Sequence, residues 1–466
     1  MNKAKYIFFM AAIVMVASCN KLDEKALSQN SPDEFFTSQT DVAAALAGMY
    51  RPLQQCCGGP EQAGNFILNA VSDEGIITHP NWGSLDPITY TPSSIAEFSD
   101  LYNSTYRSIA GSNLVIDNEA KITALDNTSG KSYTKQVLGE AKFLRAYNYF
   151  ALVQMFGGVP LRITQAKRAD EVDIERSTEA QVYEQIIKDF TDAEAGLPTT
   201  NPAGKPTKWA ASAYLAKVYL TMKDYPKALA KAKEVVANGP YSLIPKFADV
   251  FDVDKKNNAE VIFAIQYIRV EGQGMRMEYL VTGPNDKYAT NGNTGWGLVL
   301  IQDGFYNKYS PADDRLKTTF TNPAPGQTTY YSGKWKDLQG VSADGHGNDF
   351  ILYRYADLVL VLAEAENEVN GPSQLAYTNL NAVRERAKLT DLSGLTKDQF
   401  RDAVINERNL ELSFEELRWF DLKRTGKLKD VIIASGRNWN DRYLLFPIPQ
   451  SEVDASNGKI KQNPGY

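Results

Sequence analysis

One stretch, DQFRDAVINERNLELSFEELRWFDLKRTG from Asp398 to Gly426, limits what this chain can fold into more than any other. Read as a helix, it puts Phe400, Ala403, Val404, Leu410, Phe414 and Leu417 on one side, an apolar stripe wide enough to face a core. Glu407 lies on the same stripe, and a carboxylate among dry side chains needs a cationic or hydrogen-bonding partner. Arg408, Arg418 and Arg424 are candidates within the stretch, and Arg145 and Arg354 outside it. Glu407, Glu411 and Glu415 repeat every fourth residue as like charges, so the helix depends on such arginines. Thr425-Gly426 suits a helix C-cap. The pattern predicts a structural hub of Glu407, Arg408, Glu411, Arg418, Trp419 and Asp421. A catalytic carboxylate cluster is the sharper alternative, but glutamates alternating with arginines satisfy one another and leave no free acid.

A chain of 466 residues can bury a large core and is long for one simple domain. Its net charge of −6 offers no basic patch to neutralise phosphates, which excludes nucleic acid as a partner. With only His79 and His346, a histidine zinc site or a Ser-His-Asp triad has little material. No cofactor or metal is expected. Asp252, Asp254, Asn257 and Asn258 supply oxygens but lack the glycine and terminal glutamate of a calcium loop. Adjacent Cys56 and Cys57 can close only a strained ring or stay as two thiols.

The N-terminus reads as an export signal, residues 1–18. Lys3 and Lys5 precede an apolar run, Tyr6 to Val16, too short to span a bilayer. Val16-Ala17-Ser18 before Cys19 resembles a bacterial lipobox, which makes Cys19 the lipidated first residue of the mature chain. Several acyl chains, at roughly 0.8 kcal/mol per buried CH₂, are ample for stable anchoring. Residues 19–39 form a tether, and Asn20-Lys21-Leu22-Asp23-Glu24 resembles the acidic tag that sends lipoproteins to the outer face of the outer membrane.

Helical periodicity dominates residues 40–246: Thr40 to Gln54, Phe98 to Glu119, Tyr133 to Phe156, and Thr178 to Gly196, with Gln181 placed to complete a capping box. Within Thr207 to Pro240, Leu215, Ala216, Tyr219 and Ala228 sit where a tetratricopeptide repeat wants its large, small and aromatic residues. Residues 247–350 form a loop-rich insert: Glu260 to Tyr267 reads as a strand, and glycine, asparagine, proline and aromatics follow. Loops of that length are usually functional. Residues 351–466 return to helices, Tyr353 to Asn370 and Ser373 to Lys388, and close with a strap, Leu444 to Pro449. The expected fold is mainly α, a superhelix of tetratricopeptide-like hairpins with an insert containing short strands.

Five blocks in order resemble the SusD/RagB family of surface nutrient-binding lipoproteins. They are the lipobox region, Gly139 to Pro160 with FLRAY at 143–147, Tyr353 to Glu368 beginning YRYAD, Glu407 to Gly426, and the ending LLFPIPQSEVDASNGKIKQNPGY. The resemblance implies a SusD-like helical scaffold and a role without catalysis. That role is capture of oligosaccharide or polysaccharide at the cell surface, with delivery to a SusC-like TonB-dependent outer-membrane transporter that the lipoprotein covers like a lid.

Those blocks are scaffold and carry no ligand information, so binding residues are sought among loop aromatics. Sugar rings lay apolar C–H faces on indole or phenol rings, each worth about 1–2 kcal/mol by area. The candidates are Asn81 and Trp82; Tyr288, Asn293 and Trp296; and Tyr330, Tyr331 and Trp335. Trp209, Trp419 and Trp439 sit in helical or strap contexts and are expected in the core. A glycoside hydrolase needs two carboxylates facing across a cleft. Asp73-Glu74 and Asp313-Asp314 are the only loop acids near these aromatics. A peptide binder or a purely structural lid is the remaining alternative.

Overall fold

The computed structural model describes residues 35–56, 65–77, 83–85, 89–94, 96–166, 168, 174–277, 281, 283, 295–302, 304–321 and 329–466. Cys19, Cys57, Asn81, Trp82, Tyr288 and Asn293 lie outside them. Six long helices lead the chain, alongside short ones at Asn65–Ala70 and Glu119–Leu125: α1 (Gln39–Cys56), α2 (Ala96–Asp117), α3 (Ser132–Phe156), α4 (Glu179–Gly196), α5 (Lys208–Thr221) and α6 (Tyr225–Asn238). After the insert come α7 (Tyr355–Asn370), α8 (Gln374–Arg386), α9 (Lys397–Glu411) and α10 (Arg418–Arg424). Each of α1 to α7 packs on the next, and α7 also holds α8 and α9, so the helices form one continuous tetratricopeptide-like stack.

Small side chains let these helices close on one another. Ala210, Ala211, Ala213 and Ala216 of α5 and Ala228 and Ala232 of α6 are all fully buried. Where α3 crosses α4, a Cβ on Gly196 would sit 2.6 Å from the Lys135 carbonyl, so only glycine permits that approach. Thr178 with Gln181 and Thr396 with Gln399 form complete capping boxes that start α4 and α9.

The insert takes part in three two-stranded antiparallel ribbons, two of them completed by strands from outside it: β1 (Gly75–Ile77) with β3 (Val299–Ile301), β2 (Val261–Ile265) with β6 (Phe350–Arg354), and β4 (Phe320–Thr321) with β5 (Tyr331–Ser332). Strand β6 corrects the expected helix start at Tyr353. Arg354 is still extended opposite Val261, and α7 begins one residue later. The Asp398–Gly426 stretch is not one helix either. α9 ends at Glu411, and Phe414 (φ 60°) and Glu416 (φ 63°) turn the chain left-handed before α10. Phe414 therefore leaves the helix and packs with Phe305, Tyr309 and Phe320, where Leu410 of α9 joins them. The C-terminal strap lies on the end of α3: Phe446 N–H donates to the Met155 carbonyl at 2.7 Å, and Asn463 Nδ2 to that of Phe156 at 3.0 Å. Trp419 stacks on Phe446 in the core, whereas Trp209 and Trp439 are only half-buried, contrary to expectation. Trp439 instead donates its indole N–H to Asp441.

Candidate functional site

The β1–β3 ribbon organises the candidate site. Gly75 pairs with Ile301 and Ile77 with Val299, so the chain leaves β1 and enters β3 at the same end of the ribbon. The segment carrying Asn81 and Trp82 starts at that end, and the segment carrying Tyr288, Asn293 and Trp296 arrives there. Strand β3 can come so close because a Cβ on Gly75 would meet Val299 Cγ1 at 2.9 Å. Trp296 is 47% exposed, and the Arg276 guanidinium lies over its ring, 5.9 Å from the centroid. Arg276 in turn pairs with Asp344, which fixes the guanidinium from behind. This gives a large apolar ring presented to solvent beside a held cation.

Tyr330 lies toward the other end of β3, its carbonyl accepting from Ile301 N–H at 3.2 Å. Trp296 precedes β3 at its Val299 end, whereas Tyr330 is held at its Ile301 end. Tyr330 stacks on Tyr306, centroids 4.2 Å apart and planes 7° from parallel, and both are half-buried against Phe320. Tyr331 (8% exposed) and Trp335 (1% exposed) are not surface platforms. Trp335 packs between Phe251 and Phe350 at 5.5 and 5.7 Å. The polar residues around it made the segment read as a loop. In fact Lys334 and Asp337 are buried themselves, paired to Glu415 and Arg269.

Beneath the ribbon, the carboxylates of α9 and its following turn sit in a dry, charge-balanced network. Five cations (Arg315, Lys334, Arg354, Arg384, Arg386) meet five carboxylates (Glu260, Asp313, Glu407, Glu411, Glu415). Glu407 accepts from Arg315 at 2.7 Å and Arg384 at 2.9 Å, from none of the five arginines nominated above. Arg145 serves Asp189 instead, and Arg354 serves Glu260, Glu411 and Glu415. Arg408 bridges Asp357 and Asp421, Arg424 joins Asp421 to Glu364, and Arg418 reaches Asp73 at 2.7 Å. Arg315 went unnoticed because it sits in irregular sequence. The Asp313-Asp314-Arg315 run was its one signal.

Asp73 and Glu74 are driven apart. Burial would raise Asp73, but the Arg418 guanidinium, helped by Lys308, holds it at about 2. Burial, and then the Asp73 charge, push Glu74 up to about 8. Two carboxyls split this way resemble an acid–base pair, but both are buried, and Asp313 is locked onto Arg315. A concavity of about 110 Å³ lies between α3, α5 and α10 and is lined by Tyr147, Phe150, Leu220, Leu352 and Phe420.

The architecture is thus a helical-repeat scaffold with a ribbon that presents an aromatic at its rim. Residues 21–220 match the family described as "Starch-binding associating with outer membrane", and residues 321–466 match the SusD family. The chain belongs to the SusD/RagB family. It is 28% identical to the SusD-like protein P2 of Formosa agariphila, over 100% of both chains. It is 24% identical to the starch-binding protein SusD of Bacteroides thetaiotaomicron, over 73% of this chain and 75% of that one. A solved laminarin-binding SusD-like protein superposes with a TM-score of 0.80 at 25% identity, covering 92% of this chain and 100% of the other.

Proposed function

We propose that this protein captures oligosaccharides or polysaccharides at the cell surface, held to the outer membrane through lipidated Cys19, and hands them to a SusC-like TonB-dependent transporter. The observation that carries the reading is Trp296, nearly half exposed and backed by Arg276, at the ribbon end where the Trp82 segment also begins. A ring fixed before the ligand arrives costs less ordering entropy on binding. Relatives named for starch and laminarin binding support a glucan as the first ligand to try. The buried carboxylates are engaged in holding the fold, which favours binding over hydrolysis.

The test is affinity electrophoresis of residues 20–466 through gels containing laminarin, starch and other glycans, with Trp82→Ala and Trp296→Ala alongside. Retardation by one glycan, weakened in either variant, is expected. Unretarded migration of the folded protein in every gel would sink the capture reading. The apolar groove between α3, α5 and α10 favours a second reading, a lid that docks protein without its own glycan affinity. Copurification with a transporter in the absence of any glycan binding would select it.

A further inference from the structure

The β4–β5 ribbon gathers two lysines that neither the hub nor the Trp296 platform employs. Phe320 pairs with Ser332, so Lys317 just before β4 and Lys336 just after β5 lie at the same end of the ribbon. There Gly333 N–H donates to the Thr319 carbonyl at 2.9 Å. A Cβ on Gly333 would sit 2.7 Å from the Thr318 carbonyl oxygen and 3.4 Å from Lys336 Cε. The glycine thus leaves the space in which the Lys336 side chain lies beside the Lys317–Thr318 backbone.

Both lysines line a recess of about 380 Å³, a size suited to a ligand, with Lys317 exposed and Lys336 half-buried. Three acids line it too, and each already meets a cation. Asp249 and Asp252 reach Lys255 at 2.7 and 3.2 Å, and Asp254 reaches Arg269 at 3.2 Å. The remaining lysine, Lys334, is buried on Glu415. Of the charged groups lining the recess, only Lys317 and Lys336 have no ion-pair partner among the described residues. Two such ammonium groups on one concave surface favour an anion supplied from outside, since charge-assisted hydrogen bonds are about twice as strong as neutral ones. The recess also adjoins the platform. Leu338 and Gln339, in the turn after Asp337, line it, and Asp344 of the same turn holds Arg276 over Trp296.

We propose that this recess is a subsite for an anionic sugar substituent, a carboxylate or a sulfate ester, held by Lys317 and Lys336. The captured polymer is then an acidic polysaccharide, a conclusion that rests on the glycan-capture reading. Overall attraction cannot stand in for the subsite, because a chain with a net charge of −6 repels polyanions except where its cations are gathered.

Affinity electrophoresis of the full chain at low ionic strength, where surface charge is least screened, tests the subsite. The gels hold polygalacturonate for carboxylate, carrageenan for sulfate, or neutral laminarin. A Lys317→Gln/Lys336→Gln double variant runs beside a control of equal charge, Lys135→Gln/Lys429→Gln, taken from exposed helix positions. Retardation by at least one polyanion is expected, weakened on the order of tenfold in the first variant and kept in the control. The polymer that retards tells carboxylate from sulfate. Retardation by laminarin alone, or an equal loss in both variants, overturns the subsite and leaves glycan capture standing. Polyanion retardation that neither variant weakens overturns it too. No retardation of the folded chain in any gel overturns both.

Discussion

Trp419 and Trp296 each carry a cation against the indole, Lys423 at 5.0 Å and Arg276 at 5.9 Å, but one ring is 1% exposed and the other 47%. Around Trp419, Arg408 and Arg424 share Asp421, Lys423 donates to the Gln154 carbonyl, and Phe446 covers the ring. Around Trp296 one ion pair, Arg276 with Asp344, steadies the ring and leaves much of it in solvent. The same residue types make a scaffold where water is excluded and a platform where it is not. What separates hub from rim is therefore burial rather than composition.

Substitutions that treat the two regions alike should have sharply unequal effects. The largest is expected from Arg354→Met, which strands Glu260, Glu411 and Glu415 without their shared cation. A loss of about 3–5 kcal/mol in urea unfolding is expected. A loss below about 1 kcal/mol would show the network to be dispensable. Trp335→Ala should cost about 3–4 kcal/mol through its cavity while glycan retardation of the surviving folded fraction stays unchanged. Reduced retardation would return Trp335 to the site. Asp73 contributes with the opposite pH sense to Glu74. Its folded value, about 2, lies below its ordinary 3.8, so its stabilisation is complete above 3.8 and lost as the pH falls through about 2. The stability gap between wild type and Asp73→Asn should narrow by about 2 kcal/mol between pH 5 and pH 2, followed by urea melts across that range. A constant gap would mean that the Arg418 pairing does not control the titration. The smallest change in stability belongs to Trp296→Ala, within about 0.5 kcal/mol as for an exposed site. Its glycan affinity should nonetheless drop by about tenfold, read by calorimetry with laminarin.

Periodicity made the helical scaffold legible: the Thr178 and Gln181 capping box and the alanines of the 207–240 hairpin stand where the sequence put them. The site was legible only in part. Trp335 and Trp296 both sit among glycine and polar residues, and local sequence cannot tell a polar neighbour that is solvated from one that is buried and paired. Lys334 and Asp337 were of the second kind, and their partners, Glu415 and Arg269, lie 81 and 68 residues away. Arg315 was missed for the same reason. A cation is assigned to a core by its long-range partners, which periodicity does not encode. The break after Glu411 escaped because Phe414 and Glu416 adopt left-handed backbone without being glycine, a choice set by tertiary contacts such as Phe414 N–H to Glu74.

The strap on α3 also dictates an order of events during synthesis. The carbonyl of Phe156 receives Asn463, 307 residues later, and Asp73 receives Arg418, 345 residues later. Closing loops of that length is slow, and neither contact exists until almost the whole chain has been made. The early helices can pack each on the next, but the seals on α3 and on Asp73 wait for those downstream residues.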